Sequence, residues 1–253
     1  MKNNLPKYLD SASTTKVDRR VLSEMLPYFS EFYGNASSNH SFGVKSKNAI
    51  DKARKQVANI INADPKEIIF TSGATESINL AIKGYVEANT NKGNHIITVK
   101  TEHKAVLATC EYLETKGYEV TYLDVDENGL INLEELNNSI TESTLLICVM
   151  YVNNEIGIIQ PIKEIGHIAR DKNITFLCDA TQAVGKIDVD VERDNIDMLC
   201  FSGHKLNGPK GIGVLYKRSN IEITPLLHGG GQEKGLRGGT YNTPAIIGLG
   251  KAC

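Results

Sequence analysis

Short runs of apolar, often β-branched residues alternate along the chain with longer segments of helical periodicity. Segments 75–89 and 103–117 each place apolar residues on one helical face, and Gly117 stops the second segment. Several of the short runs are apolar at nearly every position, as expected of strands covered on both faces. The alternation predicts a three-layer α/β/α fold with a mostly parallel sheet. The predicted strands are 67–72, 95–100, 118–125, 144–152, 174–180, 197–203 and 212–217.

The last residues of the chain contain a helix start signal. Thr243 is the predicted N-cap, Pro244 occupies the first helical position, and an apolar stretch follows as far as Cys253. A helix that begins with these signals and stops within about three turns favours a missing C-terminal small domain over a short frayed terminal helix. No linker or internal repeat divides the sequence, so we expect residues 1–253 to form one large domain.

Composition and charge narrow the classes of protein to which the chain can belong. Lys and Arg number 28 against 30 Asp and Glu, a net charge of −2, which argues against a nucleic-acid or anionic-membrane partner. The longest apolar run, 145–152, is too short to span a bilayer, and the N-terminal stretch lacks the pattern of a targeting segment. Five cysteines without CxxC spacing predict a soluble protein of the reducing cytoplasm, and six histidines in no zinc pattern argue against a metal site.

Three polar clusters follow predicted strands, at the edge where parallel sheets bind ligands. In FTSGATES (70–77), free N–H groups at a helix start and the Thr75 hydroxyl suit a phosphate, although a plain helix cap with Glu76 in the first turn explains the same residues. His103 can stack on a planar ring or move a proton, or it can cap the following helix. In YVNNEIG (151–157) the amides can bind a ring substituent or form a turn.

Two charged residues follow further strands at the same edge. Asp179 ends an almost wholly apolar strand, where an unpaired carboxylate would raise the free energy of the fold. Its partner can be a protonated pyridine nitrogen, a basic side chain, or the N–H groups of a following helix that it caps. A lysine in a desolvated pocket can form a Schiff base with a carbonyl, and Lys205 follows two residues that can bind phosphate, Ser202 and His204. Together these clusters specify pyridoxal 5′-phosphate. They supply, in chain order, hydrogen-bond donors for a phosphate, a ring that can stack on the cofactor, a carboxylate for the pyridine nitrogen and an amine for the aldehyde.

The motifs SGATES, TEHKAV, VNNEIG, DATQAVGK, SGHKLNGPKGIG and HGGGQEKGLRGGT resemble those of the cysteine desulfurases of iron–sulfur cluster assembly. These enzymes belong to the class V branch of the fold-type-I pyridoxal-phosphate enzymes, and the resemblance runs from Tyr8 to the last residue. It implies that the large domain 1–253 binds the cofactor, with Lys205 and His103 as catalytic residues. Lys205 would hold the cofactor aldehyde, His103 would stack on the ring, and Asp179 and Gln182 would bind its ring nitrogen and phenolic oxygen.

The same resemblance assigns the remaining site residues and the oligomeric state. It places the phosphate against Thr75, Ser202 and His204, and Asn154 near the ring and the substrate carboxylate. It also implies that Thr240 reaches the phosphate of a partner subunit, so that two copies of the chain form a homodimer with shared sites.

The resemblance implies conversion of L-cysteine to L-alanine, with sulfur passed to an enzyme thiol and then to an acceptor or scaffold protein. Two departures stand out: the N-terminal loop reads DSAST, and the family's persulfide-forming cysteine and substrate-gripping arginine lie beyond Cys253. A truncated, non-catalytic fragment that binds the cofactor and dimerises is therefore an alternative, as are a related class V aminotransferase and a selenocysteine lyase. The HGGGQE…RGGT and TEHKAV motifs favour the desulfurase over these relatives.

Overall fold

A computed structural model of the chain describes residues 6–253. Residues 1–5 of the predicted domain 1–253 lie outside the described residues. They also begin the N-terminal stretch predicted to contain no targeting segment. The described part is built on a seven-stranded sheet flanked by helices, which confirms the predicted α/β/α fold class. None of the helices within residues 6–253 combines the length and apolar character needed to cross a membrane.

Each of the seven strands lies within one of the predicted apolar runs. Their order in the sheet is β1-β7-β6-β5-β4-β2-β3, and every pairing is parallel except those of β7, which runs antiparallel to both β1 and β6. The connection 203–212 is too short for the crossover that a parallel return requires, so β7 turns back beside β6. The strands are β1 (Ile68–Thr71), β2 (His95–Val99), β3 (Glu119–Leu123), β4 (Thr144–Cys148), β5 (Thr175–Asp179), β6 (Met198–Ser202) and β7 (Gly213–Lys217).

Eight α-helices accompany the sheet within the described residues. They are α1 (Arg19–Met25), α2 (Pro27–Ser30), α3 (Ser41–Asn59), α4 (Ala74–Ala88), α5 (Lys104–Glu114), α6 (Leu133–Ser139), α7 (Ile162–Asp171) and α8 (Thr243–Ala252). The predicted helices 75–89 and 103–117 correspond to α4 and α5, and Gly117 adopts a positive φ of 88° just after α5 ends. The predicted N-cap of the last helix was wrong by one residue. Asn242 caps α8, because its side-chain oxygen reaches the N–H of Ala245 at 3.3 Å, and Thr243 is buried as the first helical residue.

Two hydrophobic cores cover the two faces of the sheet. Successive strand residues point to opposite faces, so Ile96 packs in the core that contains α4 and α5, while Ile97 packs in the core with α3, α7 and α8. This double coverage explains why the strand runs are apolar at consecutive positions. The carboxyl ends of the parallel strands consequently meet at one edge, where polar residues become accessible.

A close backbone crossing sets the position of the α4 N-terminus at that edge. Gly213, at the start of β7, pairs with Thr71 on one side and Ser202 on the other. A Cβ atom at Gly213 would lie 2.4 Å from the carbonyl carbon of Gly73 and 2.5 Å from its Cα. The turn that joins β1 to α4 therefore passes directly over a residue without a side chain, and this contact brings the first turn of α4 beside the end of β6.

Gly213→Ala should destabilise the fold and displace this turn. Forcing a methyl group into a filled contact costs about 1–3 kcal/mol, which chemical denaturation of the purified protein measures as a lower free energy of unfolding. Gly231→Ala is the matched control, because a Cβ there meets nothing within 4 Å; its effect should stay within about 0.5 kcal/mol. Equal stability of the two variants would show that the Gly73 turn moves aside freely.

Candidate active site

A cavity of about 750 Å³ opens at the carboxyl edge of the sheet. Its walls come from the segments that follow β1, β2, β4, β5 and β6, together with the N-terminal segment 10–14. Eight of the nine residues singled out from the sequence line it, and Thr240 does not. The eight are Thr75, His103, Asn154, Asp179, Gln182, Ser202, His204 and Lys205.

Asp179 provides a buried carboxylate at the cavity wall. The residue is 6% exposed, and its Oδ1 accepts the N–H of Thr181 at 3.0 Å in a turn, so Asp179 does not cap a helix. Burial raises the pKa of this carboxyl, whereas the Thr181 N–H hydrogen bond and the nearby Lys205 amine lower it. The Thr181 hydroxyl is itself buried without a hydrogen-bond partner in the described chain. Asp179 therefore combines strong burial with weak pairing, a combination that favours contact with a cationic group.

Lys205 faces Asp179 from the end of β6. Its Nζ donates hydrogen bonds to the carbonyl oxygens of Ala12 and Ser13, the latter at 2.8 Å. Burial lowers the pKa of this amine, and the nearby carboxylates of Asp10, Asp179 and Glu155 partly oppose that change. A lowered pKa increases the fraction of neutral amine, which is the nucleophilic and proton-accepting form.

The N-terminal segment is tied across this lysine by main-chain hydrogen bonds. The N–H of Thr15 donates to the His204 carbonyl at 2.8 Å, and the N–H of Asn207 donates to the Thr15 hydroxyl at 2.8 Å. Gln182 Nε2 donates to the Ala12 carbonyl at 2.8 Å. The sequence indicated only a variant loop near the substrate entrance, because carbonyl groups have no signature in the residue pattern. The structure shows that this loop supplies both acceptors of the Lys205 amine.

The first turn of α4 and the end of β6 form a polar cradle. Gly73 is the N-cap of α4 and has no side chain to satisfy the exposed amides, while the Thr75 hydroxyl lies in the first turn. A Cβ atom at Gly73 would be 4.0 Å from Ser202 Oγ, which places that hydroxyl across from the turn. His204 Nδ1 is 3.1 Å from Thr14 Oγ1, and burial followed by nearby lysines lowers the His204 pKa, which favours the neutral ring. Amides, hydroxyls and a neutral ring suit an anion such as phosphate.

His103 and Asn154 each combine a local structural contact with a position on the cavity wall. His103 Nδ1 accepts the N–H of Ala105 at 3.1 Å, so the residue caps α5 and Nε2 is the ring nitrogen left available as a donor. In the Asn-Asn pair, Asn153 builds the turn by accepting the N–H groups of Glu155 and Ile156 at 2.9 and 3.1 Å. Asn154 is thereby left to line the cavity.

The glycine-rich segment 228–240 is anchored beside the cradle by two ion pairs. Arg237 donates to Glu76 at 2.8 and 3.3 Å, and Glu76 also accepts the N–H of Ser72 at 2.7 Å. Glu233 is 5% exposed, and Arg54 binds both of its carboxylate oxygens at 2.7 and 2.8 Å. Neither pair was anticipated, because the partners are far apart in sequence. The segment ends with Thr240 exposed, so the predicted contact of this threonine with a partner's phosphate stays a prediction.

The cysteines lie apart from this cavity. Cys110, Cys148, Cys178 and Cys200 are buried, and no cysteine lines the cavity. Burial raises the pKa of all four thiols, that of Cys110 to about 12. Within residues 6–253, no group of three His, Cys, Asp or Glu side chains is placed to hold a metal ion.

Comparison with known proteins shows the family to which the chain belongs. The family model for class-V aminotransferases matches residues 7–253. A curated relative, the cysteine desulfurase IscS of Ehrlichia chaffeensis, is 57% identical over 252 residues, which cover 98% of this chain and 62% of the relative. Its counterpart in Rickettsia massiliae is 55% identical over 254 residues, covering 99% and 62%. The chain belongs to the class-V aminotransferase family, and it spans about 62% of the length of these two relatives.

Solved structures agree with this assignment. A structure described as a NifS-like protein superimposes with a TM-score of 0.96 at 45% identity, covering 98% of this chain and 68% of the other. A second, described as SspA in complex with cysteine, gives 0.95 at 49% identity, covering 98% and 72%.

Pyridoxal 5′-phosphate is the cofactor of this family, and the residues of the cavity fit it. The uncapped α4 N-terminus opposite Ser202 suits a phosphate, and the buried Asp179 suits a protonated ring nitrogen. The unpartnered Thr181 hydroxyl offers a further polar contact, and the Lys205 amine of lowered pKa suits an aldehyde.

Arg237→Met should weaken binding of pyridoxal 5′-phosphate to the cofactor-free protein about tenfold, which corresponds to about 1.4 kcal/mol. Without its arginine, the Glu76 carboxylate would remain in the first turn of α4 as a like charge beside the phosphate. Fluorescence titration gives the dissociation constant. The double variant Glu76→Gln/Arg237→Met should regain wild-type affinity. The glutamine side chain at position 76 still accepts the Ser72 N–H, and it carries no negative charge beside the phosphate. If the double variant binds pyridoxal 5′-phosphate as weakly as Arg237→Met, Arg237 acts through a contact other than the one with Glu76.

Proposed function

We propose that the protein is a pyridoxal-phosphate-dependent cysteine desulfurase, which converts L-cysteine to L-alanine and passes the sulfur to a thiol for iron–sulfur cluster or other sulfur-cofactor synthesis. The observation that supports this most directly is the meeting of Lys205 and Asp179 at one cavity, with six further predicted residues around them. Relatives named cysteine desulfurase IscS share 55–57% of their residues with the chain. Because the chain spans only part of their length, the activity is proposed for the whole protein.

The proposed residue roles follow from the contacts already described. Pyridoxal 5′-phosphate, when bound, supplies an aldehyde for the substrate amine and an electron-withdrawing ring that stabilises negative charge. In the proposal, the phosphate is held by Thr75, Ser202 and His204. The ring nitrogen is contacted by Asp179 and the phenolic oxygen by Gln182, while His103 stacks on the ring. Asn154 lies near the ring and the substrate carboxylate, and Lys205 is the point of covalent attachment.

Lys205 and His103 are the proposed proton carriers. The lowered pKa of Lys205 increases the fraction of neutral amine, whose Nζ can accept a proton and return it, and Asp179, His103 and Gln182 line the same cavity. Nε2 is the ring nitrogen of His103 available to carry a proton to or from the site, because Nδ1 accepts the Ala105 N–H. Asp179 contributes by keeping its negative charge where a positive ring nitrogen would lie.

The proposed sulfur transfer needs a thiol from outside the described cavity. A thiolate is the reactive form, and burial opposes its formation at the four cysteines of the sheet and α5 and also at Cys253, none of which lines the cavity. We therefore place the sulfur-accepting thiol outside residues 6–253, in the whole protein or in a partner, and expect an acceptor or scaffold protein to follow it. This same observation favours a second candidate for the 253-residue chain by itself, a non-catalytic fragment that binds the cofactor and dimerises.

The assembly and location of the protein are also proposed. Thr240 is exposed at the end of an anchored segment, which supports a homodimer in which it contacts the partner's phosphate. We propose that residues 1–253 form the cofactor-binding large domain and that the protein works in the cytoplasm, as its unpaired cysteines suggest.

Lys205→Ala should abolish both covalent attachment of pyridoxal 5′-phosphate and production of alanine from L-cysteine. Borohydride reduction followed by mass spectrometry locates the adduct, and amino-acid analysis measures alanine. Lys210→Ala is the matched control, because Lys210 lines the same cavity and its amine has no proposed role; this variant should keep the adduct on Lys205. An adduct on Lys210 in the wild-type protein would contradict the assignment. Cofactor attachment by the wild type without any alanine would favour the non-catalytic fragment.

A further inference from the structure

A second buried acid lies beside the cavity, outside the set of residues assigned above. Glu102, which directly precedes His103, is 6% exposed. Its Oε1 accepts the N–H of Met150, and its Oε2 is buried without a hydrogen-bond partner among residues 6–253. The ion pairs of the described chain all involve other carboxylates, so no Lys, Arg or His is paired with this one.

Glu102 and Asp179 contact the same short piece of chain. The segment after β4 runs between the ends of β2 and β5, where the N–H of Met150 donates to Glu102 and the N–H of Tyr151 donates to the Asp179 carbonyl at 2.9 Å. The titratable groups that face Glu102 from the packed elements are potential anions, with no cation among them. They are the Asp179 carboxyl of β5 and the thiols of Cys110 in α5, Cys148 in β4 and Cys178 in β5.

Two neighbouring carboxyl groups in a poorly solvated site do not both ionise, because each charge raises the cost of the other. Asp179 is the better site for the charge, since the Thr181 N–H hydrogen bond and the nearby Lys205 amine lower its pKa. Glu102 has only backbone N–H donors, and burial followed by the Asp179 charge raises its pKa well above the ordinary value. The proton of the pair therefore belongs to Glu102.

We propose that Glu102 is a neutral positioning residue, a carboxylic acid with its proton on Oε2 that holds Met150 at the cavity wall and leaves the negative charge of the buried pair on Asp179. Met150 and Asp179 both line the cavity, so a neutral Glu102 fixes one wall without competing for positive charge. The consequence for the ring nitrogen rests on the proposed function, whereas the protonation of Glu102 does not.

The first test is the pH dependence of stability in wild type and Glu102→Gln, measured on the full chain with and without pyridoxal 5′-phosphate. In the unfolded chain glutamate loses its proton near pH 4.3, whereas folded Glu102 keeps it. The stability that this acid contributes is complete below that pH and is lost as the pH rises toward the folded pKa. The wild-type unfolding constant, divided by that of the variant, should rise about tenfold per pH unit from pH 5 upward. A ratio independent of pH would overturn the proposal.

A second measurement does not depend on any variant. The infrared spectrum of wild-type protein at pH 7 should contain the carbonyl stretch of a protonated carboxyl group, and labelling the glutamates with ¹³C should shift it. Among the glutamates of residues 6–253, Glu102 is the one whose pKa is raised, so the label-sensitive band reports on this residue. Absence of a label-sensitive band at pH 7 would show that Glu102 is ionised and would overturn the proposal.

The third measurement compares two matched carboxyl-to-amide changes. Glu102→Gln should bind pyridoxal 5′-phosphate within about twofold of wild type, because its side chain was already neutral, whereas Asp179→Asn should bind at least about tenfold more weakly, the loss expected for a hydrogen bond to a charged group. Equal loss in both variants would overturn the assignment of the charge to Asp179. No loss in either would refute the proposed role of Asp179 in cofactor binding, while the pH slope and the infrared band would still report the protonation of Glu102.

Discussion

The carboxylate of Asp179, buried at the end of an apolar strand, is the constraint on which the rest of the site depends. A charge in that position raises the free energy of the fold unless hydrogen bonds and cations compensate for it. The N–H of Thr181 supplies one such contact, the amine of Lys205 supplies positive charge nearby, and a neutral Glu102 avoids a second negative charge. In the proposed function, pyridoxal 5′-phosphate would complete this compensation, because its protonated ring nitrogen would bring the missing cation.

The sheet topology explains how residues distant in sequence reach this carboxylate. Parallel strands present their carboxyl ends at one edge, so each β-to-α connection can contribute one polar cluster. The reversed strand β7 interrupts that series, and its Gly213 lets the start of α4 come close to β6. The N-terminal segment then crosses this edge and provides the acceptors for Lys205. Binding residues therefore come from connections, while the apolar strands fix their relative positions.

Much of this arrangement could be predicted from the sequence, because polar residues directly after apolar runs mark the binding edge of a parallel sheet. That reasoning placed His103, Asp179 and Lys205 around one cavity. It could not identify the carbonyls of Ala12 and Ser13, which any residue type supplies, or ion pairs such as Arg54–Glu233 that only folding brings together. It also missed the burial of Glu102, since the charged residue lies in a polar stretch whose neighbours gave no sign of an apolar environment.

Asp179 is proposed to recognise a positive ring nitrogen, and a cofactor analogue that lacks this atom tests the proposed role most directly. In 1-deazapyridoxal 5′-phosphate, carbon replaces the ring nitrogen, and the other binding groups are kept. Titration of the cofactor-free wild type should show the natural cofactor binding about 10- to 100-fold more tightly than the analogue, as expected for a hydrogen bond between charged groups. Asp179→Asn should lose most of this preference. Equal affinity of the wild type for the two compounds would contradict the account.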